Sequence, residues 1–237
     1  MADEDVYPAS LLNAWKSSRL VYRAIEEDEA DKAFIYEVMN GDPVAIAMGS
    51  IRPVAPANHL SALSFYQMTK DNPLRVLICL PATATNDDDD EKQKITEGKE
   101  KAEADKKPSP PKPTPIGMVT LFWPKGQQFQ HTRDVNLGIS LVGGYRGKGY
   151  GAEAINWALD WGFRWGGYHR IGLTTFSYNT RAIRVYKSLG FVEEGRIREN
   201  LYYDRKRYDE ILFGMLVGEW EGLRGVGEGA REKVEEG

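Results

Sequence analysis

Cysteine is nearly absent: the chain of 237 residues holds one, Cys79. Neither an internal disulfide nor a cysteine metal cluster can form, and a reducing compartment is expected. Cys79 lies in the apolar run Val76–Leu80 and reads as a small buried hydrophobe. Histidine is scarce as well. His59, His131 and His169 are scattered without metal-ligand spacing, so no metal site is expected. A run of about twenty apolar residues, the length that spans a bilayer, is missing, and no membrane segment is expected. Net charge is -4, so no overall basic field recruits nucleic acid. The opening MADEDVYPAS is acidic and polar, unlike a secretory signal or an Arg-rich transit peptide. A cytoplasmic location is expected, with the nucleus as the other option.

What is present alternates between strand and helix patterns. Arg19–Ile25 alternates like a strand, and Glu26, Glu27 and Asp28 then suit the positive end of a helix dipole. Residues 40–58 carry glycines and three prolines and read as irregular. Leu60–Met68 reads as helix and Leu74–Leu80 as a buried strand. Residues 82–115 then break the composition: an acidic run, Asp87–Glu91, leads into mixed Lys and Glu and ends in Pro108–Pro115. With almost no apolar side chain to offset ordering entropy, this stretch reads as a mobile insertion between two strands. Its Pro-rich end suits docking on an aromatic groove as a second reading. Strands follow at Ile116–Trp123, Val135–Leu141, Arg170–Phe176 and Ile211–Val217. The order gives an α/β pattern around a mixed sheet. Residues 1–18 read as a leader and 221–237 as a flexible tail, leaving one domain over 19–220 interrupted at 82–115.

The stretch GYRGKGYGAEA, from Gly144 to Ala154, has few side chains and two cations. The helix after it is clear, because Ile155, Ala158, Leu159, Gly162 and Phe163 form one apolar stripe. Glycines at the turn let main chain approach a ligand, and free N–H groups at the helix start point outward. Arg146 and Lys148 add charge, so the turn suits a diphosphate. An NTPase loop would need a hydroxyl after Lys148, where Gly149 stands. A dinucleotide fold would need a carboxylate ending the next strand, which ends Thr174-Thr175-Phe176. A flexible turn with incidental cations is the remaining alternative.

Ile139-Ser140-Leu141 followed by Arg146-Gly147-Lys148-Gly149-Tyr150-Gly151 resembles the acetyl-CoA motif of GNAT-superfamily N-acetyltransferases. A second stretch, Asn179 to Phe191, is similar to that family's N-x-x-A-x-x-x-Y-x-x-x-G-F helix. The resemblance covers roughly 19–81 and 116–220, and looks closest to the ribosomal-protein and polyamine branch through SRLVYRA and YYDRKRYDEILFGML. It implies a twisted, mostly antiparallel mixed sheet flanked by helices. It also implies acetyl-CoA as co-substrate, with no metal, and direct transfer to an amine on a polyamine, a peptide or protein, or a small molecule. Residues implied to bind the coenzyme are Ile139, Leu141, Arg146 to Gly151, Asn179, Ala182 and Tyr186.

Independently of the resemblance, Asn179 is a good N-cap, and Ala182, Ile183, Tyr186 and Leu189 share a helix face. Tyr186 reads either as a core tyrosine or, by the resemblance, as the acid that protonates the leaving thiolate. A backbone N–H near Leu141 is implied to hold the oxyanion. Many relatives carry a glutamate near the position of Asn136; asparagine cannot accept the proton, and Asp134, on the same strand face, is the candidate base. A non-catalytic acyl-CoA-binding module is the alternative function. Selectivity is expected from the first helices and the hairpin at Tyr202-Tyr203-Asp204, and its exposed strands leave room for a homodimer.

Overall fold

A computed structural model describes residues 9–26, 28–51, 53–56, 58–82 and 112–226. Glu27, most of the insertion (83–111) and the end of the tail (227–237) lie outside the described residues. Seven strands form one sheet in the order β1-β2-β3-β4-β5-β7-β6. They are β1 (Val21–Ala24), β2 (Leu74–Leu80), β3 (Thr114–Phe122), β4 (Asp134–Leu141), β5 (Arg170–Phe176), β6 (Val192–Tyr203) and β7 (Lys206–Leu216). Neighbours are antiparallel except β4 and β5, which run parallel. This is the mostly antiparallel mixed sheet that was expected.

Helices cover both faces. They are α1 (Ala9–Leu12), α2 (Glu29–Asn40), α3 (Pro43–Gly49), α4 (His59–Thr69), α5 (Tyr150–Arg164), α6 (Thr180–Ser188) and α7 (Val217–Arg224). On one face the stripe of α5, with Ile155 and Leu159, closes over Val119, Leu121, Ile171 and Phe213. On the other, Ile35, Val38 and Tyr66 meet Leu77, Cys79 and Met118. Strand β2 feeds both cores, Val76 and Ile78 to the first and Leu77 and Cys79 to the second. That is why LRVLICL is a continuous apolar run rather than an alternating one. Cys79 is fully buried, and burial pushes its thiol up to about 11.

Four expectations need correction. Residues 43–49 are helical: the Asp42 side chain accepts from the Val44 N–H and Pro43 opens the helix. This cap-plus-proline start outweighs the proline count that suggested an irregular stretch. Strand β6 was hidden by its charged sequence and by two register irregularities, between Glu193 and Gly195 and between Ile197 and Leu201. The chain beyond 220 does not fray at once, because α7 runs to Arg224. Its Trp220 indole and Arg224 guanidinium both donate to Asp160. Nor is the end of the leader loose: Trp157 Nε1 donates to the Ala14 carbonyl, and the Tyr22 N–H donates to that of Trp15.

Helix α5 lies close against the sheet because Gly162 has no side chain. A Cβ there would sit 2.6 Å from Ile171 Cδ1 and 3.3 Å from Leu121 Cδ1, both on fully buried side chains. Gly162→Ala gains about 1 kcal/mol of helix propensity but overpacks by about 1–3 kcal/mol. Thermal denaturation is expected to show a net loss of up to about 2 kcal/mol.

Candidate functional site

The sheet opens between β4 and β5. Their parallel pairing covers only Asp134–Arg170, Val135–Ile171 and Asn136–Gly172, whereas β4 stays paired with β3 as far as Leu141. From Leu137 onward the two parallel strands part and leave a fork. Backbone direction alternates along β4, and the Val142 N–H donates across to the Ile116 carbonyl of β3. Residues of the opposite parity, Ile139 and Leu141, therefore aim their N–H groups into the fork. Their side chains pack on the core beneath α5, so what these two residues offer a ligand is main chain.

The glycine bend lies at the open end of the fork. Gly147 and Gly149 have φ of +86° and +85°, which residues with a Cβ rarely adopt. Gly149 is the N-cap of α5, and no side chain caps that helix. Its first intrahelical bond in this turn runs from the Glu153 N–H to the Gly149 carbonyl. The N–H groups of Tyr150, Gly151 and Ala152 thus have no intrahelical acceptor, an arrangement suited to an anion. Lys148 Nζ lies 5.5 Å from the Tyr145 ring centre, and a Cβ on Gly151 would meet nothing closer than Leu141 Cδ1 at 3.6 Å. Arg146 behaves differently from expectation. Its Nε donates to the Leu141 carbonyl at 2.9 Å and its Nη1 pairs with Asp42 at 2.6 Å. The guanidinium ties the end of β4 to the start of α3, and burial of Asp42 is outweighed by the Val44 N–H and Arg146, which hold its carboxyl below the usual range.

Two further arginines meet the bend, and neither was singled out from the sequence. Arg19 donates to the Lys148 carbonyl at 3.0 Å, pairs with Glu153 at 2.8 Å and lies over the Tyr150 ring. The Arg181 guanidinium, on the first turn of α6, would be 2.7 Å from a Cβ on Gly147. The Arg19 contacts span more than a hundred positions, so no local pattern announces them.

Helix α6 flanks the fork on the same face. Asn179 caps it by accepting from the Ala182 N–H at 3.2 Å, and its Nδ2 reaches the Met48 carbonyl of α3. Tyr186 lies two turns on, with its ring edge-on to Phe191 and Phe213. Phe213 pairs with Leu173, the residue after Gly172, so Tyr186 stands level with the point where the strands part. Burial pushes its hydroxyl up to about 12, and it has no hydrogen-bond partner among the described residues.

Asp134 is not brought to the opening. It begins β4, bonded to Arg170 at 2.8 Å, and Arg170 also pairs with Glu194. Five strand residues, or about 16 Å, separate it from Ile139. Asn136 does stand at the vertex, its Oδ1 only 2.7 Å from where a Cβ on Gly172 would be. On the α3 side a pocket of about 440 Å³ opens between α3, Pro53-Val54 and the β6–β7 tip at Tyr202, Tyr203 and Asp204, the hairpin singled out from the sequence. Among the described residues, no helix is long and apolar enough to cross a membrane. No group of three or more His, Cys, Asp or Glu there could hold a metal ion.

Glu153 ties the first strand to the bend. Burial alone would raise its carboxyl, but the Arg19 N–H, the Ser17 hydroxyl and the Arg19 guanidinium hold it below the usual range. A depressed carboxyl stabilises above its unfolded value of about 4.3, and that contribution is lost as pH falls through the folded value. Glu153→Gln is therefore expected to lower Tm at pH 7, by an amount corresponding to about 1–2 kcal/mol. The gap to the wild type should close below about pH 4 in melts recorded across pH.

Comparison with known proteins agrees with this geometry. Residues 88–191 match the profile of the Acetyltransferase (GNAT) family. The SPbeta prophage-derived uncharacterized N-acetyltransferase YokL of Bacillus subtilis is 38% identical over 77 residues, 32% of this chain and 44% of that protein. Spermidine N(1)-acetyltransferase of Vibrio cholerae is 33% identical over 79 residues, 33% of this chain and 45% of its own. The chain spans about half the length of the curated relatives it matches. Among solved structures, spermidine N-acetyltransferase from Vibrio cholerae in complex with CoA and spermine superposes with a TM-score of 0.62 at 20% identity, covering 86% of this chain and 99% of that one. An acetyltransferase (GNAT family) from Bacillus anthracis gives 0.58 at 18% identity, covering 86% and 98%. The likeness in structure speaks for the fold, and the profile match shows that residues 88–191 are similar to the Acetyltransferase (GNAT) family.

Proposed function

We propose that the protein is an acetyl-CoA-dependent N-acetyltransferase that moves the acetyl group from the thioester directly to a primary amine. The observation that carries this reading is the fork, with an uncapped helix start at its mouth and Tyr186 level with its vertex. The diphosphate of the coenzyme sits on the bend from Arg146 to Gly151, held by main-chain N–H groups with Lys148 alongside. Its arm runs inward between β4 and α6, past Asn179 and Ala182.

Amine nitrogen attacks the thioester carbonyl carbon, and negative charge gathers on the carbonyl oxygen. The N–H of Ile139 or Leu141 is aimed where that oxyanion forms. As the tetrahedral intermediate collapses, the C–S bond breaks and thiolate leaves. A tyrosine at about 12 is protonated at neutral pH and so has a hydrogen to offer. A thiolate whose conjugate acid has a pKa of about 8.5 does not take that proton outright. Tyr186 therefore acts by hydrogen-bonding the sulfur as its charge grows, and solvent completes the transfer.

Proton removal from the amine is the weak point. Asp134 is occupied by Arg170, and Asn136 cannot accept a proton. An amine of pKa about 10.4 then loses about 4–5 kcal/mol at pH 7, because so little of it is neutral. The same observation favours a second reading, a module that binds acyl-CoA without turnover.

Free-thiol release from acetyl-CoA, followed with a panel of amines, separates the two readings; binding without turnover on any amine favours the second. Tyr186→Phe is expected to lower kcat about 100-fold and leave coenzyme affinity within about twofold. Gly149→Leu forces a side chain into a left-handed conformation and brings its Cβ to 3.1 Å from Arg19 Nη2. Calorimetry should show coenzyme affinity falling at least tenfold. With no free base placed at the fork among the described residues, kcat/KM should climb with pH up to the amine's own pKa.

A further inference from the structure

The acceptor side carries information of its own, given acetyl transfer at the fork. The pocket between α3 and the hairpin is walled by Pro43, Val44, Val54, Tyr202 and Tyr203, with Asp204 as its one acidic lining residue. Val44, Val54 and Tyr202 are 55%, 46% and 66% exposed, so apolar surface stands open to solvent there. Its inner wall is Ala47, whose carbonyl accepts from the Tyr178 hydroxyl at 2.6 Å. The next carbonyl, Met48, accepts from Asn179. Tyr178 and Asn179 form the turn from β5 into α6, the rim of the fork opposite β4. The pocket therefore backs directly onto the place where the thioester is read to lie. Tyr203 is stacked on Tyr178, with ring centres 4.9 Å apart.

Charge decides what fits. The hairpin runs Asp204-Arg205-Lys206-Arg207, one acid followed by three cations, and Arg207 lies over the Tyr202 ring. Asp42, the acid next to Pro43, is already paired with Arg146. A polyamine brings several separated cations, each needing its own carboxylate in place of water. Among the described residues this rim has one carboxylate to give and repels the remaining charges. A molecule with a single amine on an aromatic or aliphatic body matches both the apolar walls and the lone acid.

We propose that this pocket is the acceptor site and that it takes a small primary amine carried on an arylalkyl or alkyl body, in preference to a polyamine. This rests on the acetyl-transfer reading, and the two fail differently. Initial rates of thiol release are measured at pH 8 with 2-phenylethylamine, hexylamine, spermidine and an unblocked tetrapeptide. The expected result is a kcat/KM for 2-phenylethylamine at least tenfold above that for spermidine. Val54→Asp, at an exposed position outside any helix or strand, should raise KM for 2-phenylethylamine at least fivefold and narrow its advantage over spermidine. Coenzyme affinity should stay within twofold. Val44→Asp, on the exposed face of α3, should do the same. Preference for spermidine or for the tetrapeptide, or an unchanged KM in both variants, overturns the pocket assignment while acetyl transfer stands. Coenzyme binding with no turnover of any amine overturns both.

Discussion

The hydrogen bonds between β4 and β5 stop at Asn136 and Gly172, and the character of the cleft follows from that stop. Unpaired main-chain groups inside a protein are costly unless something answers them. Here part of the debt is met internally, since Arg146 takes the Leu141 carbonyl. Left facing the fork are the N–H groups of Ile139 and Leu141 and the Ile139 carbonyl, and the first turn of α5 adds further N–H groups. With donors in the majority and Lys148 beside them, the opening favours negative charge over positive.

Everything around the fork holds it open from outside. Helix α3 lies across one face, tied to β4 by Asp42 and Arg146 and to α6 by Tyr178 and Asn179. On the other face the stripe of α5 fixes the bend, and Glu153 draws β1 against it. The same residues thus serve stability and site together. Arg146 shows this most plainly, because the cation that charge-counting assigns to a ligand is spent on two protein partners.

Much of the site was legible in the sequence because its cues are local. The glycine spacing at Gly147 and Gly149, the Asn179 cap and the placement of Tyr186 each depend on a few neighbouring residues, and the structure brings them to one opening. What escaped was long-range or masked by charge. Arg19 and Glu153 meet across 134 positions. Asp134 shares a strand face with Asn136 as periodicity says, yet its partner Arg170 comes from the adjacent strand, which periodicity cannot reveal. Strand β6 alternates poorly because its register slips twice. The helix at Pro43–Gly49 was readable from its cap, but the surrounding prolines drew attention first.

Leu80 and Thr114 sit opposite each other in the ladder between β2 and β3. The two ends of the long low-complexity connection are thereby pinned one strand spacing apart, about 5 Å. The register between β2 and β3 is carried by their own paired residues, from Leu74 opposite Leu121 to Leu80 opposite Thr114. What the sheet requires is therefore the meeting of Leu80 and Thr114, whatever chain joins them.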